Sequence, residues 1–159
     1  MAHYIFGYGS LLNHSSVTKT CPKIRNVRQV VLTGYQRKFN ATHESLPDIA
    51  LNIVENKNMD IEGVLLEVPD ASLSALKERE KGYEMIEVTH LIAPKQEQPV
   101  FTFIAPDIDN CQGKKIYQAY IDICLAGVPE EKRADWLSEA IIPFEISLDC
   151  RETLYKLHK

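Results

Sequence analysis

The sequence has no long apolar run and no basic cluster, and each absence argues against a class of protein. No run approaches the roughly 20 apolar residues that a transmembrane helix needs. The 18 Lys and Arg residues are scattered, with no cluster longer than Lys114-Lys115, and the net charge is −4. We therefore expect neither a membrane nor nucleic acid among the partners of this protein.

Metal and disulfide signals are also missing. No two cysteines have Cys-x-x-Cys spacing, and no histidine stands beside them like a zinc ligand; the four cysteines are Cys21, Cys111, Cys124 and Cys150. The five histidines are equally scattered. The sequence therefore predicts structural thiols and no metal site.

The N-terminal residues 1–6 lack the basic flank and long apolar region of a secretion signal, which predicts a cytoplasmic protein. The composition is that of a globular protein, with 45% hydrophobic and 25% charged residues. A length of 159 residues is typical of one domain, so we expect residues 1–159 to form a single domain with a packed core. Nothing in the sequence indicates an oligomeric state.

Hydrophobic periodicity and turn residues predict a strand-rich first half and a more helical second half. The predicted strands are 3–8, 27–32, 34–40, 50–54, 61–68, 85–93 and 99–104, with turns at 33–34 and 56–58. The predicted helices are 13–19, 71–81 with Asp70 as N-cap, 115–127 and 129–142. Because strands and helices do not alternate regularly, we expect an α+β fold with a mixed, barrel-like β-sheet and a few flanking helices.

The turn Gly7-Tyr8-Gly9-Ser10-Leu11-Leu12 directly follows the first predicted strand. Its glycines allow a sharp turn, a close approach to a ligand, and free N–H groups that suit an anion such as a carboxylate. Neither nucleotide motif is present, because no Gly-Lys-Ser/Thr follows and Leu12 stands where a dinucleotide motif has its third glycine. The turn predicts either a carboxylate-binding loop or simply a tight exit from the strand.

Glu80 stands out near the end of the predicted helix 71–81. Leu73 and Leu76 mark the inward face, and at about 100° per residue Glu80 projects between them. The polar face is predicted to consist of Lys77, Glu78, Arg79 and Lys81. Burial and the negative end of the helix dipole should raise the pKa of Glu80, which suits a general base that later acts as an acid. Alternatively, the helix frays before Glu80, or its side chain pairs with a neighbouring lysine.

Four segments form a set with a consistent order and spacing. They are 4–11 (YIFGYGSL), 32–40 (LTGYQRKFN), 62–69 (EGVLLEVP) with 76–83 (LKEREKGY), and Tyr120 with Gly127 seven residues later. Together they resemble the γ-glutamyl cyclotransferase superfamily, which includes the ChaC-like and avirulence-induced-gene-like proteins. The resemblance extends to about residue 130. The family's Leu-Asp-x-x-Glu helix end falls on residues 76–80, with Lys77 in place of the usual Asp.

The resemblance implies an enzyme that cyclises a γ-glutamyl group to 5-oxoproline and releases an amine or peptide, without a cofactor. The substrate would be glutathione, a γ-glutamyl peptide or a γ-glutamylamine. Glu80 would be the catalytic acid/base, and the implied substrate-binding residues are Tyr8, Gly9, Ser10, Leu11 and Tyr120. From helical spacing alone, Tyr120 is equally well explained as a core residue.

A function of a different class stays open at this point, namely a domain that binds a γ-glutamyl compound or an amino acid without turnover. An inward Glu80 disfavours it, because a carboxylate-binding loop has no need of a buried acid. A third alternative is related acyl or amide chemistry on a γ-glutamylamine. We expect substrate selectivity to reside in the loops 43–47 and 106–114.

Overall fold

The computed structural model describes residues 1–43, 48–111, 113–143 and 148–149. A six-stranded β-sheet forms its centre, with strands β1 (Ala2–Gly7), β2 (Arg25–Thr42), β3 (Ile49–Pro69), β4 (Glu84–Glu87), β5 (Ile92–Ala93) and β6 (Val100–Ile104). Their order across the sheet is β4-β6-β1-β3-β2-β5. Strands β1 and β6 are parallel and the other neighbours are antiparallel, so the sheet is mixed.

Helices flank this sheet. In the described part of the chain they are α1 (His14–Thr20), α2 (Asp70–Arg79), α3 (Gln118–Ala126) and α4 (Arg133–Glu139). A small parallel pair is formed by β7 (Ile116–Tyr117) and β8 (Leu148–Asp149). The main sheet curls into a half-barrel, which confirms the predicted α+β fold. None of these four helices has the length and hydrophobicity needed to cross a membrane.

Strands β2 and β3 form one long antiparallel hairpin, whereas the sequence patterns predicted two shorter pairs. Thr42 pairs with Ile49, so the chain reverses between these residues. The predicted turn at 33–34 is wrong, because β2 continues through it. Gly34 has a φ of +81° and lies at a register shift, where it alone stands opposite residues 56–59 of β3. The predicted turn at 56–58 is also wrong, because β3 continues through it.

The predicted helices are present with altered ends. Helix α2 stops at Arg79, two residues before the predicted end, and Asp70 is its first residue rather than its N-cap. The Asp70 carboxylate instead lies 2.7 Å from Nε2 of His3. The predicted helix 115–127 begins only at Gln118, after β7, and the predicted helix 129–142 is divided into a 3-10 turn (Glu130–Lys132) and α4.

Alternating side chains of the central strands fill a core on both faces of the sheet. Phe6 and Leu65 belong to the larger cluster, which also contains residues of α3 and α4. Their chain neighbours Ile5 and Leu66 belong to a second cluster, which contains residues of α1 and α2. Two-sided burial explains why β1 and β3 carry consecutive apolar residues instead of an alternating pattern.

Two fully buried asparagines bind the chain where it leaves β6. Asn52 Nδ2 donates to Asn40 Oδ1 at 2.9 Å and to the Ala105 carbonyl at 3.0 Å, and its Oδ1 accepts the Ala105 N–H at 2.9 Å. Asn40 Nδ2 donates to Asp107 Oδ1 and to the Ile108 carbonyl, both at 2.9 Å. These side chains replace strand-to-strand hydrogen bonds, so that buried backbone groups beyond β6 keep partners.

We expect Asn52→Leu to lower the free energy of unfolding by about 2 to 4 kcal/mol, because buried groups of Ala105 and Asn40 lose their partners. Urea unfolding followed by the fluorescence of the single tryptophan, Trp136, measures this loss. Asn58→Leu is the matched control at an exposed position of the same strand, and it should change stability by less than about 0.5 kcal/mol. Equal losses in the two variants would contradict the structural role of Asn52.

Candidate active site

The loop that follows β1 is attached to two helices. It passes through a 3-10 turn, Ser10–Leu12, and the Leu12 N–H donates to the Gly9 carbonyl at 2.9 Å. Asn13 then caps α1, because its Oδ1 accepts the Ser16 N–H at 3.0 Å. Asn13 Nδ2 donates to the Ile123 carbonyl of α3 at 2.9 Å, so the loop is bound to α1 along the chain and to α3 across the fold.

Two glycines allow this loop to pack closely against its surroundings. A Cβ atom on Gly9 would lie 3.3 Å from Cδ2 of Leu51 and 3.6 Å from Oη of Tyr120. A Cβ atom on Gly127, which follows α3, would clash with the Leu12 backbone. The missing side chains therefore bring the loop, β3 and α3 together at one point.

Three tyrosines surround that point. Tyr8 Oη donates to the Phe103 carbonyl at 2.6 Å, and Tyr83 Oη donates to the Leu51 carbonyl at 2.6 Å. The Leu51 N–H donates to Tyr120 Oη at 3.0 Å. Burial raises the pKa of all three phenols well above the usual 10.0, so they are neutral at physiological pH.

Glu80 lies at the C-terminal end of α2, and its side chain is only 11% exposed. The Glu80 N–H still donates to the Leu76 carbonyl at 2.9 Å, so the helical turn does not fray before it. Its charge adds to the raised pKa of both Tyr8 and Tyr83, which places the carboxylate among the phenols. The inward direction predicted from the helix phase is therefore observed.

The position of Arg79 differs from the prediction for α2. Arg79 was expected on the polar face of α2, but its side chain is 3% exposed and its Nε lies 3.6 Å from Oε1 of Glu80. The signal was available in the sequence, since Arg79 is three residues after Leu76 and therefore shares its face of the helix. Burial raises the pKa of a carboxyl group, whereas a neighbouring cation lowers it. The raised pKa of Glu80 therefore stays a prediction.

All six predicted site residues line one small cavity of about 20 Å³, here called the inner cavity. Its lining consists of Tyr8, Gly9, Ser10, Leu11, Leu51, Glu80, Tyr83, Phe103 and Tyr120. A second cavity of about 260 Å³, the outer cavity, shares Ser10, Glu80, Tyr83 and Tyr120 with it. The predicted site residues are thus brought together from three separate parts of the chain: the β1 loop, the end of α2, and α3.

Only part of the predicted selectivity loops can be placed. His43 lines the outer cavity, whereas residues 44–47 and 112 lie outside the described residues. The described residues of the loop 106–114 do not line it. Within residues 1–43, 48–111 and 113–143, no group of three His, Cys, Asp or Glu side chains is arranged to hold a metal ion.

Sequence comparison places this arrangement in a known family. The sequence model of ChaC-like proteins matches residues 3–121, which include all six predicted site residues. The chain belongs to the ChaC-like protein family. No curated protein matches the sequence significantly.

Solved structures agree with the family at the level of the fold. A structure described as gamma-glutamyl cyclotransferase has a TM-score of 0.72 and 17% identity, covering 99% of this chain and 98% of the other. The human uncharacterized protein loc79017 has a TM-score of 0.71 and 20% identity over the same shares. At3g28950.1 from Arabidopsis thaliana has a TM-score of 0.52 and 22% identity, covering 99% and 82%.

The motif residue Arg37 of this ChaC-like protein supports the β1 loop from behind. Its Nε donates to the Tyr8 carbonyl at 2.9 Å, and a terminal nitrogen donates to the Glu62 carbonyl. The guanidinium lies 5.1 Å from the ring centroid of Trp136. Burial lowers the pKa of Arg37 to about 10, so it remains a cation at neutral pH and holds Tyr8 in place.

Because Tyr8, Tyr83 and Tyr120 are buried, we expect the protein to lose stability at high pH. Because burial raises their pKa in the folded protein, the unfolded chain releases these protons first, and stability falls as the pH rises above about 10. Tyr83→Phe removes one such group, so the slope of unfolding free energy against pH should become shallower by about 1.4 kcal/mol per pH unit. Urea unfolding over a pH series measures both slopes, with the region below about pH 9 as the internal reference. Identical slopes would contradict the burial of the Tyr83 phenol.

Proposed function

We propose that this ChaC-like protein is a γ-glutamyl cyclotransferase that converts a γ-glutamyl group to 5-oxoproline and releases an amine or peptide in the cytoplasm. The observation that carries the proposal is the inward Glu80 carboxylate, which lines the same small cavity as the glycine loop. Membership in the family and the shared fold support this general activity.

The first chemical requirement is a base. The α-amine of a γ-glutamyl group is an ammonium at neutral pH and becomes a nucleophile only after losing a proton. Glu80 is the one carboxylate among the nine residues that line the inner cavity. The Arg79 cation beside it attracts the ionised carboxylate, the form that accepts the proton.

The second requirement is a fixed orientation of the γ-glutamyl group. The first N–H groups of a helical turn have no acceptor within that turn, and the 3-10 turn of the loop begins at Ser10. The N–H groups of Gly9, Ser10 and Leu11 would bind the α-carboxylate, and the neighbouring phenols of Tyr8 and Tyr120 would border it. Holding the chain folded brings the α-amine close to the γ-carbonyl.

The α-nitrogen loses two protons overall, because the ammonium has three N–H bonds and the nitrogen of 5-oxoproline has one. Glu80 carries one proton to the leaving nitrogen, and the other is released to solvent. The α-nitrogen forms a bond to the γ-carbonyl carbon, giving a tetrahedral intermediate. The bond from that carbon to the leaving nitrogen then breaks, and Glu80 returns its proton to this nitrogen. The products are 5-oxoproline and the free amine, and no electrons are gained or lost. The reaction is a lyase-type acyl transfer to the substrate's own amine.

The outer cavity would receive the leaving group. It shares Glu80 and Tyr83 with the inner cavity, and it also contains His43 and Thr42. A cavity of about 260 Å³ has room for an amine or the residue of a short peptide. The substrate class of this proposal therefore comprises glutathione, γ-glutamyl peptides and γ-glutamylamines.

We expect Glu80→Gln to lower the rate of 5-oxoproline formation by roughly 100-fold or more, because the amide cannot accept the proton of the α-ammonium. The measurement is a panel of glutathione, γ-glutamyl dipeptides and γ-glutamylamines, with 5-oxoproline determined by chromatography. Glu84→Gln, an exposed glutamate on β4, is the matched control and should retain wild-type rates.

Two results would contradict the proposal in different ways. Wild-type rates in a folded Glu80→Gln protein would reject Glu80 as the base. Binding of a panel compound without any 5-oxoproline would instead identify a binding domain on the same scaffold. Thermal unfolding of each variant shows whether a lost activity is only lost folding.

A further inference from the structure

The donors of Arg79 are divided between the β1 loop, α1 and Glu80. Nη1 donates to the Ser16 carbonyl and to Thr20 Oγ1, both at 3.1 Å. Nη2 donates to Ser16 Oγ at 3.1 Å and lies 3.4 Å from Ser10 Oγ. The guanidinium therefore joins the end of α2 to the β1 loop and α1, which precede it by 59 to 69 residues.

The remaining donor of Arg79 faces the carboxylate. Nε is buried and has no hydrogen-bond acceptor within the described residues, and it lies 3.6 Å from Oε1 of Glu80. A buried N–H without an acceptor destabilises the folded protein. A separation of 3.6 Å leaves an ion pair that a small movement of either side chain would close to a hydrogen bond.

We propose that Arg79 is the positioning residue of the site, which holds the Glu80 carboxylate ionised and at a fixed distance from the Ser10 turn. The inference deepens the proposed cyclotransferase function, because a base and a carboxylate-binding loop act on one substrate only if their separation is constant. Arg79 acts through Glu80 and Ser10, because its donors are directed to these two residues and to α1.

The thiols and phenols near Glu80 add no charge to its surroundings, because burial keeps them neutral. Burial raises the pKa of Cys21, and it raises the pKa of Cys124 to about 12. Tyr8, Tyr83 and Tyr120 also have pKa values well above the usual one. The charged or titratable side chains of the outer cavity besides Arg79 and Glu80 are His43, Asp48, Glu78 and Lys81.

A lysine could supply the charge of Arg79 but not its geometry. The planar guanidinium donates in several fixed directions, so it contacts Ser10, Ser16, Thr20 and Glu80 together. A single ammonium has three donors at one atom and cannot span these partners. Arg79→Lys therefore keeps the positive charge near Glu80 but removes the contacts that fix its position.

The first test is the titration of Glu80 by NMR of its ¹³C-labelled carboxyl carbon, without substrate. In Arg79→Met the titration midpoint should move up by about 1 to 3 pH units, because a neighbouring cation no longer favours the ionised form. In Arg79→Lys the midpoint should stay near that of the wild type. Arg79→Gln replaces the methionine variant if thermal unfolding shows that Arg79→Met does not fold. A midpoint unchanged by loss of the cation would overturn the inference.

The second test is steady-state kinetics of 5-oxoproline formation. Arg79→Lys should lower kcat by about 10- to 100-fold with a smaller change in KM, because the base is no longer held against the Ser10 turn. In Arg79→Met the acidic limb of the pH profile should move in parallel with the NMR midpoint. A wild-type kcat in Arg79→Lys would contradict the positioning role.

Arg25→Met is the matched control. Arg25 also pairs with a glutamate, with 2.9 Å between its Nη2 and Oε1 of Glu67, but it is exposed and lines neither the inner nor the outer cavity. This variant should leave the Glu80 midpoint and kcat unchanged. Because the titration needs no substrate, an inactive wild type with the expected midpoint difference would reject the proposed function alone. An active wild type without that difference would reject the inference alone.

Discussion

The geometry of the site depends on the backbone of Leu51. Leu51 faces Phe39 across the β2–β3 hairpin, but the Phe39 N–H donates to the Ile141 carbonyl on the other side of β2. The pair is therefore of the non-hydrogen-bonded kind, in which both strands direct their polar groups outward. The outward N–H and carbonyl of Leu51 meet Tyr120 and Tyr83. The strand register thus decides where the phenols of Tyr83 and Tyr120 can be buried. These two contacts in turn position the end of α2 and the start of α3.

A bulge next to this pair has a related effect. Between Phe39 and Ala41 the register shifts, so Asn40 is the extra residue of β2. Its side chain turns inward to Asn52, which binds the backbone of Ala105. Ala105 lines the outer cavity, so the bulge also fixes part of that wall. One irregular strand segment therefore places both the buried tyrosines and the polar network beside them.

Two buried arginines support the site in different ways. Arg37 binds backbone carbonyls and the face of Trp136, and its role is to hold the Tyr8 backbone. Arg79 faces a carboxylate, so its charge acts directly on the group proposed to move protons. Buried cations are costly without partners, and here each has several. The low exposure of both explains why substitution by lysine is not conservative at either position.

The sequence predicted the residues of the site better than it predicted their supports. Glu80 could be found because helical phase is local, and the loop could be found because glycine marks a turn. The pairing of β2 with β3 was mispredicted, because Gly34 reads as a turn unless the partner strand is known. Arg79 was placed on the polar face because charged residues are usually exposed, and its burial depends on acceptors from α1.

The end of the chain shows the same dependence on distant contacts. The family match ends at residue 121, yet Trp136 lies under the guanidinium of Arg37, and Ile141 accepts the Phe39 N–H. Both contacts stabilise the strand that carries Arg37 and hence the Tyr8 carbonyl. A segment without a recognised motif therefore contributes to the site through packing, because it places an aromatic face and one carbonyl beside β2. Supporting contacts of this kind are hard to find from a sequence motif, because different side chains of suitable size can make the same contacts.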